Sequence, residues 1–231
     1  NARLACTQIA YTADNKFLLP AYFQSGQVKF NGYDSGRFSV CVIKSSLVDD
    51  NTLLVEDISN IMSLKVERGF CEPSLYQFNG IYYLTIRAED GHGYWSCSKD
   101  PMSFPKPSPW QFDDGEYLAM SSTQQHWFQV QDKLYLAYTR NAGYNAEVIR
   151  FRTPLFAAEF DTDKQKLVRE SEKVILPYLI RDGVYGLLGN FHCLSLDDGS
   201  AIISDAALFL NRDSNEKIYG KSEVFLAQLF A

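Results

Sequence analysis

The stretch Gln124-Gln125-His126-Trp127-Phe128-Gln129-Val130-Gln131-Asp132-Lys133-Leu134-Tyr135-Leu136-Ala137-Tyr138-Thr139-Arg140 decides how this chain reads. Residues rich in β-formers flank Gln131–Lys133 on both sides, the pattern of two short strands joined by a tight turn. Residues equidistant from such a turn are cross-strand neighbours. Gln125, His126, Tyr138 and Arg140 therefore gather at the end of the ribbon away from the turn.

Three other segments have the same form. Residues 6–23 turn at Asp14-Asn15, residues 72–87 at Asn79-Gly80, and residues 189–205 at Asp197-Asp198-Gly199. The four turns fall near residues 15, 80, 132 and 198, about 52 to 66 residues apart. A third strand is expected after each hairpin, at 37–45, 93–98, 147–160 and 223–230. The first three copies add an outer strand near 52–58, 110–113 and 167–176. Antiparallel strands recurring in groups of four match the blades of a β-propeller, whereas sandwich strands do not recur this way. The expected fold class is all-β, a β-propeller of four-stranded antiparallel blades at roughly 1–60, 68–120, 121–177 and 186–231. These form one domain over 1–231. The fourth copy ends after its third strand, so the chain reads as most of a five-bladed propeller or part of a larger one. Long loops are expected at 24–36, 102–109, 178–188 and 209–220.

Composition narrows the partners. The 231 residues are 46% hydrophobic and 14% aromatic, enough for one sizeable core. A net charge of -6 without a Lys/Arg run argues against nucleic acid and anionic membrane surfaces. No stretch of 18 apolar residues suggests membrane insertion. The chain opens on Asn rather than Met, consistent with a removed leader or a fragment. Cys6, Cys41, Cys71, Cys97 and Cys193 show no CxxC or zinc spacing and read as mostly free, buried thiols. No dinucleotide, P-loop, HExxH, GxSxG or EF-hand motif occurs, so no cofactor is expected. His92, His126 and His192 fall in different copies, and no metal is assigned to them.

The edge where each first strand starts and each second strand ends collects the chemistry. It gathers Gln8 and Tyr22, then Glu72 and Arg87, then Gln125, His126, Tyr138 and Arg140, then Asn190, His192 and Asp205. Such an edge is expected to line a funnel that binds a ligand. Glu72 and Arg87 lie at equal distance from the Asn79-Gly80 turn and are expected to pair. Arg87, Arg140, Arg150 and Arg152 suggest a carboxylate-bearing sugar, because a planar guanidinium holds a carboxylate bidentately. Period two places Arg150 and Arg152 on one face of a strand. The bland alternative is that these arginines pair with acidic residues such as Glu89, Glu147 or Asp161.

His126, with Gln124, Gln125 and Trp127, reads either as a sugar-contacting platform or as a hydrogen-bonded structural histidine. His92 sits in the glycine-flanked turn Glu89-Asp90-Gly91-His92-Gly93. Asp90 and Asp205 are candidate acids or bases, since apolar surroundings raise a carboxyl pKa toward the working range. Tyr138 and Tyr144 are candidate nucleophiles or proton donors.

Several segments resemble the sialidase superfamily, specifically the bacterial sialidase-like or BNR-repeat propellers. They are Glu72-Pro73-Ser74-Leu75, Tyr94-Trp95-Ser96-Cys97-Ser98-Lys99-Asp100, Gln124-Gln125-His126-Trp127, Tyr138-Thr139-Arg140, Arg150-Phe151-Arg152-Thr153-Pro154-Leu155-Phe156 and Leu188-Gly189-Asn190-Phe191. Ser98-Lys99-Asp100 running on to Phe104 resembles an Asp-box without its usual glycine. The resemblance implies a propeller with a central pocket, an arginine cluster for a substrate carboxylate, a Tyr/Glu nucleophile pair and an aspartate acid/base. No Arg-Ile-Pro segment carries the family's first arginine. A second resemblance, to ulvan-lyase propellers that use His, Tyr and Arg, is carried by His92, His126, Tyr138 and Arg140.

The expected function is a carbohydrate-active enzyme, with an oligo- or polysaccharide containing an acidic sugar as its partner. Hydrolase chemistry comes first, a lyase is the alternative, and a non-catalytic sugar-binding propeller is the third reading. Glycan degradation would favour a secreted or periplasmic location.

Overall fold

The computed structural model describes residues 2–30, 32–120, 123–212 and 218–230. Strands take up 58% of the chain and helical turns 3%, and the fold is that of an all-β propeller built from antiparallel sheets. The chain forms two compact units. One is Asn1–Trp110 with Gln124–Trp127, and the other is Gln111–Thr123 with Phe128–Ala231.

The first unit opens with a six-stranded sheet. It contains β1 (Ala2–Arg3), β2 (Ala10–Tyr11), β3 (Phe17–Phe30), β4 (Tyr33–Asp49), β5 (Thr52–Ile58) and β6 (Met62–Ser63). β3 and β4 pair from Phe17↔Ser45 to Phe30↔Tyr33, with one bulge between Gln24 and Gly26. The loop expected at 24–36 is therefore mostly ladder. Its polar residues belong to a ribbon held by backbone hydrogen bonds, which needs no apolar stripe to form.

The second sheet has β7 (Cys71–Phe78), β8 (Ile81–Arg87), β9 (Gly93–Ser98) and β10 (Ser108–Pro109), in the order β10-β9-β8-β7. The β7–β8 turn uses Asn79 at φ 49° and Gly80 at φ 74°. Two left-handed residues in succession make the turn whose twist matches a hairpin. The outer strand expected at 110–113 is instead β10. Trp110 follows β10, its amide still donating to Gly93 O at 3.0 Å, and its ring is wholly buried, stacked 5.7 Å from Trp95. Leu18, Val40, Val42, Phe70, Leu75, Leu84, Ile86 and Phe104 form this unit's core.

The second unit holds two five-stranded sheets. The first contains β11 (His126–Val130, in this unit from Phe128 on), β12 (Lys133–Tyr138), β13 (Leu155–Asp161), β14 (Lys166–Leu167) and β15 (Lys173–Leu176). The third strand expected from residue 147 begins only at Leu155. Residues 149–151 form a 3₁₀ turn, with Arg150 at φ 56° and Phe151 at φ 51°. The alternation of Arg150-Phe151-Arg152 therefore does not place both arginines on one strand face. The expected outer strand at 167–176 is split into β14 and β15 by a second 3₁₀ turn, Arg169–Ser171.

The last sheet contains β16 (Ile180–Arg181), β17 (Val184–Leu187), β18 (His192–Ser195), β19 (Ala201–Arg212) and β20 (Ile218–Leu229). β20 pairs β19 from Ala201↔Leu229 to Arg212↔Ile218, so it fills one edge of that strand. β17 and β18 pair different stretches of the same strand. The loop expected at 178–188 is the hairpin β16–β17, turning on Asp182 at φ 51° and Gly183 at φ 76°. Of the loop expected at 209–220, residues 213–217 lie outside the described residues; the rest belongs to β19 and β20. Phe128, Val130, Leu155, Leu188, Phe191, Ile203 and Phe209 lie in this unit's core.

Residues 68–70 are zipped onto Phe38. Phe38 N donates to Arg68 O at 2.7 Å, and Phe70 N donates to Phe38 O at 3.1 Å. Gly69 sits between at φ 74°, and a Cβ there would stand 2.4 Å from Phe38 O. Gly69→Ala should cost about 2–4 kcal/mol, because the clash is with backbone and adds to left-handed strain. Gly80→Ala, at the same φ but in open space, should cost only about 1 kcal/mol. Urea unfolding of both variants checks this ordering.

Candidate functional site

The polar residues expected at the hairpin edges fall into both units. Gln8, Tyr22, Glu72, Arg87, Asp90, His92, Gln125, His126 and Trp127 belong to the first, and Tyr138, Arg140, Arg150, Arg152, Asn190, His192 and Asp205 to the second.

In the first unit, His126 is fully buried and its Nδ1 lies 2.8 Å from Ser74 Oγ. Ser74 Oγ also meets Gln8, accepting from the Gln8 amide at 3.0 Å and donating to Gln8 Oε1 at 3.1 Å. Gln125 is equally enclosed. Its Oε1 accepts from Trp110 Nε1 at 2.8 Å and its carbonyl from Thr85 Oγ1 at 3.0 Å. Trp127 has no exposed surface and meets Trp110 and Tyr83 edge-on. The expectation of a sugar-contacting platform is corrected here. These rings and amides are buried and bonded within the unit, so they present no open platform to a sugar.

Arg87 stands at the centre of an ion-pair chain. Its Nη1 lies 2.6 and 2.7 Å from the two oxygens of Glu72, and its Nη2 lies 3.3 Å from Glu89 Oε1. Arg68 pairs with the other side of Glu89, Nε to Oε1 at 3.0 Å. Glu72 and Arg87 therefore do meet, although a bulge between Cys71 and Ser74 shifts the register and holds Glu72 at φ 44°. Arg87 is buried and its charge is matched by carboxylates of its own chain. Burial alone would depress its pKa, but Glu72 and Glu89 outweigh that and raise it. Beside this group Tyr94 donates to Asp90 Oδ2 at 2.6 Å, which with burial pushes the phenol's pKa up. The His92 amide donates to Asp90 Oδ1 at 3.3 Å.

In the second unit, Glu172 joins two predicted residues. Its Oε1 accepts from Tyr138 Oη at 2.6 Å and from Arg140 Nε at 2.8 Å, and its Oε2 from Arg140 Nη2 at 2.6 Å. Tyr138 is fully buried, so burial first and the Glu172 charge second drive its pKa well above the ordinary phenol. Arg140 also stacks on Phe156 at 4.7 Å. Sequence pattern gave no route to Glu172, which follows a 3₁₀ turn 32 residues beyond Arg140.

The loop after Arg140 folds back through Asn145. This buried amide donates to Arg140 O at 3.0 Å and to Thr153 O at 2.9 Å. The 149–152 turn that results carries Arg150, which is exposed, and Arg152, which is half-buried. Arg152 O accepts from Leu188 N, which leads directly into Gly189. Gly189, at φ 116°, donates its N–H to Asp205 Oδ2 at 2.8 Å. A Cβ on Gly189 would lie at ordinary contact distance from Thr123 and Arg152, 3.6 and 3.7 Å, so it is the left-handed backbone rather than space that suits a glycine here. Thr123 in turn bonds Thr139 at 2.8 Å, between Tyr138 and Arg140 in sequence. Asn190 and His192 are exposed on the start of this hairpin.

Asp205 is the notable carboxyl of this group. It is 3% exposed, and its Oδ1 makes no hydrogen bond among the described residues. Burial raises its pKa above the ordinary carboxyl value. The amides of Gly189, Ala206 and Asn190 and the Arg152 charge hold part of that rise back. Of the expected buried thiols, Cys41 and Cys71 are buried, while Cys6, Cys97 and Cys193 are partly exposed. None of the five is in a disulfide, and among the described residues no group of three or more His, Cys, Asp or Glu could hold a metal.

No protein-family model and no curated protein matches the chain. Solved structures do share its fold. Sucrose-6-phosphate hydrolase from Lactobacillus gasseri is 12% identical over 93% of this chain and 47% of its own, with a TM-score of 0.57. The GH43 protein BlXynB from Bacillus licheniformis is 12% identical over 96% of this chain and 45% of its own, with a TM-score of 0.53. Trypanosoma rangeli sialidase with sialic acid is 14% identical over 94% of this chain and 30% of its own, with a TM-score of 0.50. The chain thus spans less than half the length of these proteins. The likeness establishes a fold held in common with sialidase and GH43 proteins.

The raised pKa of Asp205 predicts a pH signature. The folded state keeps this proton to higher pH than the unfolded state, so the group's contribution to stability falls as pH rises past the ordinary carboxyl value. Asp205→Asn removes that dependence. Urea unfolding should show the variant gaining stability relative to the parent between pH 3.5 and pH 7. A constant difference across that range would contradict the raised carboxyl.

Proposed function

We propose that this chain belongs to a carbohydrate-active enzyme, a glycoside hydrolase acting on a carboxylate-bearing sugar. The reading draws first on the fold neighbours, which include a sucrose-6-phosphate hydrolase, a GH43 protein and a sialidase bound to sialic acid. The observation that carries it is Asp205, a buried carboxyl with a raised pKa and an unbonded oxygen, beside Arg152.

A general acid for glycosidic cleavage works best with a pKa raised toward working pH, and burial moves Asp205 in that direction. Asp205 is given that role. The substrate carboxylate is given to Arg152 and Arg150, which share one turn; Arg150 makes no ion pair among the described residues. Arg87 and Arg140 are poor clamps, because each is already saturated by Glu72 and Glu89, or by Glu172. The edge of the Tyr138–Glu172–Arg140 group that faces solvent offers hydrogen bonds to the sugar.

The lyase reading needs a base near neutral pH. The Tyr138 phenol holds its proton to high pH, which disfavours it as that base and supports hydrolysis.

Screening sialosides and uronate polymers with paired reducing-sugar and ultraviolet readouts tests the assignment. Reducing ends without an unsaturated product are expected. Asp205→Asn should lower kcat by about 10²–10⁴-fold. Arg152→Ala should raise KM for carboxylate sugars about tenfold or more and leave neutral ones unchanged. Full activity of Asp205→Asn, or an ultraviolet-absorbing product, would sink the proposal.

A further inference from the structure

The first unit contains a cavity that none of the chemistry above uses. Its volume is about 390 Å³, and Ser63, Leu64, Phe70, Tyr94, Lys106 and Pro109 are among its lining residues. That volume lies toward the small end of small-molecule sites, which run from about 300 to 1,000 Å³.

The lining is built from fixed parts. Phe70 is 2% exposed and its amide is bonded to Phe38 O. Tyr94 meets Phe70 edge-on, with ring centroids 5.1 Å apart, and its hydroxyl is tied to Asp90. Pro107 and Pro109 have locked φ angles and no N–H to satisfy. At the rim stand the exposed Ser63, Lys106 and Ser108. Lys106 makes no ion pair or hydrogen bond among the described residues.

We propose that this cavity is a second sugar-binding site, taking one pyranose unit that bears a carboxylate. A pyranose has an apolar C–H face for the Tyr94–proline lining, which Phe70 backs, and hydroxyls for Ser108 and for Ser63, whose Oγ also bonds Ser39 Oγ at 2.7 Å. Lys106 supplies a point charge for the carboxylate. A preformed aromatic wall is favourable for binding because no side chain has to be ordered to make it. The site lies in the first unit, whereas Asp205 and Arg152 lie in the second, so the proposal is independent of the catalytic reading.

Nuclear magnetic resonance titration of the full chain tests it, with methyl β-D-glucuronide as probe and methyl β-D-glucoside as the neutral comparison. Saturable shifts are expected at the amides of Ser63, Leu64, Lys106 and Ser108. Lys106→Ala should weaken the glucuronide about threefold to fivefold, as an exposed ion pair allows, and leave the glucoside unchanged. Ser108→Trp, at an exposed rim position, should abolish both. The proposal is overturned if shifts appear only elsewhere, if Lys106→Ala binds both sugars as the parent does, or if Ser108→Trp binds normally. Loss of turnover in Asp205→Asn with these shifts intact would separate the two sites.

Discussion

The Gln8 side chain does the work of a strand segment in the first unit. Its Oε1 accepts from Trp127 N at 2.8 Å and its Nε2 donates to Trp127 O at 2.7 Å, so it pairs both backbone groups of one residue. Its own amide is held by Ser74 Oγ. One amide side chain thereby joins three copies of the hairpin repeat, from residues 119 and 66 positions away in sequence. In this interior an unmade hydrogen bond costs about 1–3 kcal/mol, so each partner constrains the next. Ser74 spends its remaining capacity on His126, which fixes that ring as part of the same joint.

The arginines obey a related constraint. Removing a guanidinium from water is tolerable only if a carboxylate goes with it. Arg87 takes Glu72 and Glu89, and Arg140 takes Glu172 on two nitrogens. Both are consequently components of closed networks, whatever their nearness to a ligand. Glu72 accepts a left-handed backbone to reach Arg87, a strain of order 1–3 kcal/mol that the two short bonds offset. Arg150, on the 149–152 turn, is exposed and makes no ion pair among the described residues.

What could be read from the sequence follows from how local each cause is. Asn79-Gly80 announces its hairpin because only residues that tolerate positive φ make such a turn. Asp182-Gly183 carries the same signal, yet the short strands beside it, Ile180–Arg181 and Val184–Leu187, left too little pattern to be seen as a hairpin. The 24–36 ribbon lacks the apolar stripe that marks a half-buried strand, so its ladder was illegible. Arg150-Phe151-Arg152 has strand-like alternation but is bent by Asn145, whose two hydrogen bonds are tertiary facts. Glu172 was unreachable for the same reason. A partner chosen across 32 residues leaves no periodic trace. Gln125, His126 and Trp127 were seen as polar and aromatic, but burial decides between ligand platform and packing, and burial is not local.

The repeat itself supplies a comparison among equivalents. The seventh residue after each of the four turns is Tyr22, Arg87, Thr139 or Asp205. Tyr22 lies under the Arg3 guanidinium at 5.9 Å, Arg87 is bonded to Glu72 and Glu89, and the Thr139 hydroxyl is hydrogen-bonded to that of Thr123. One backbone position therefore receives four different chemistries, and each is matched by what its own sheet provides. Asp205 is matched on one oxygen by Gly189 and left unbonded on the other, at a depth where water does not reach it. A polar atom kept unpaired in a buried place costs stability, and folds retain such atoms where the vacancy is used. That asymmetry is the physical ground on which the proposal above rests at Asp205.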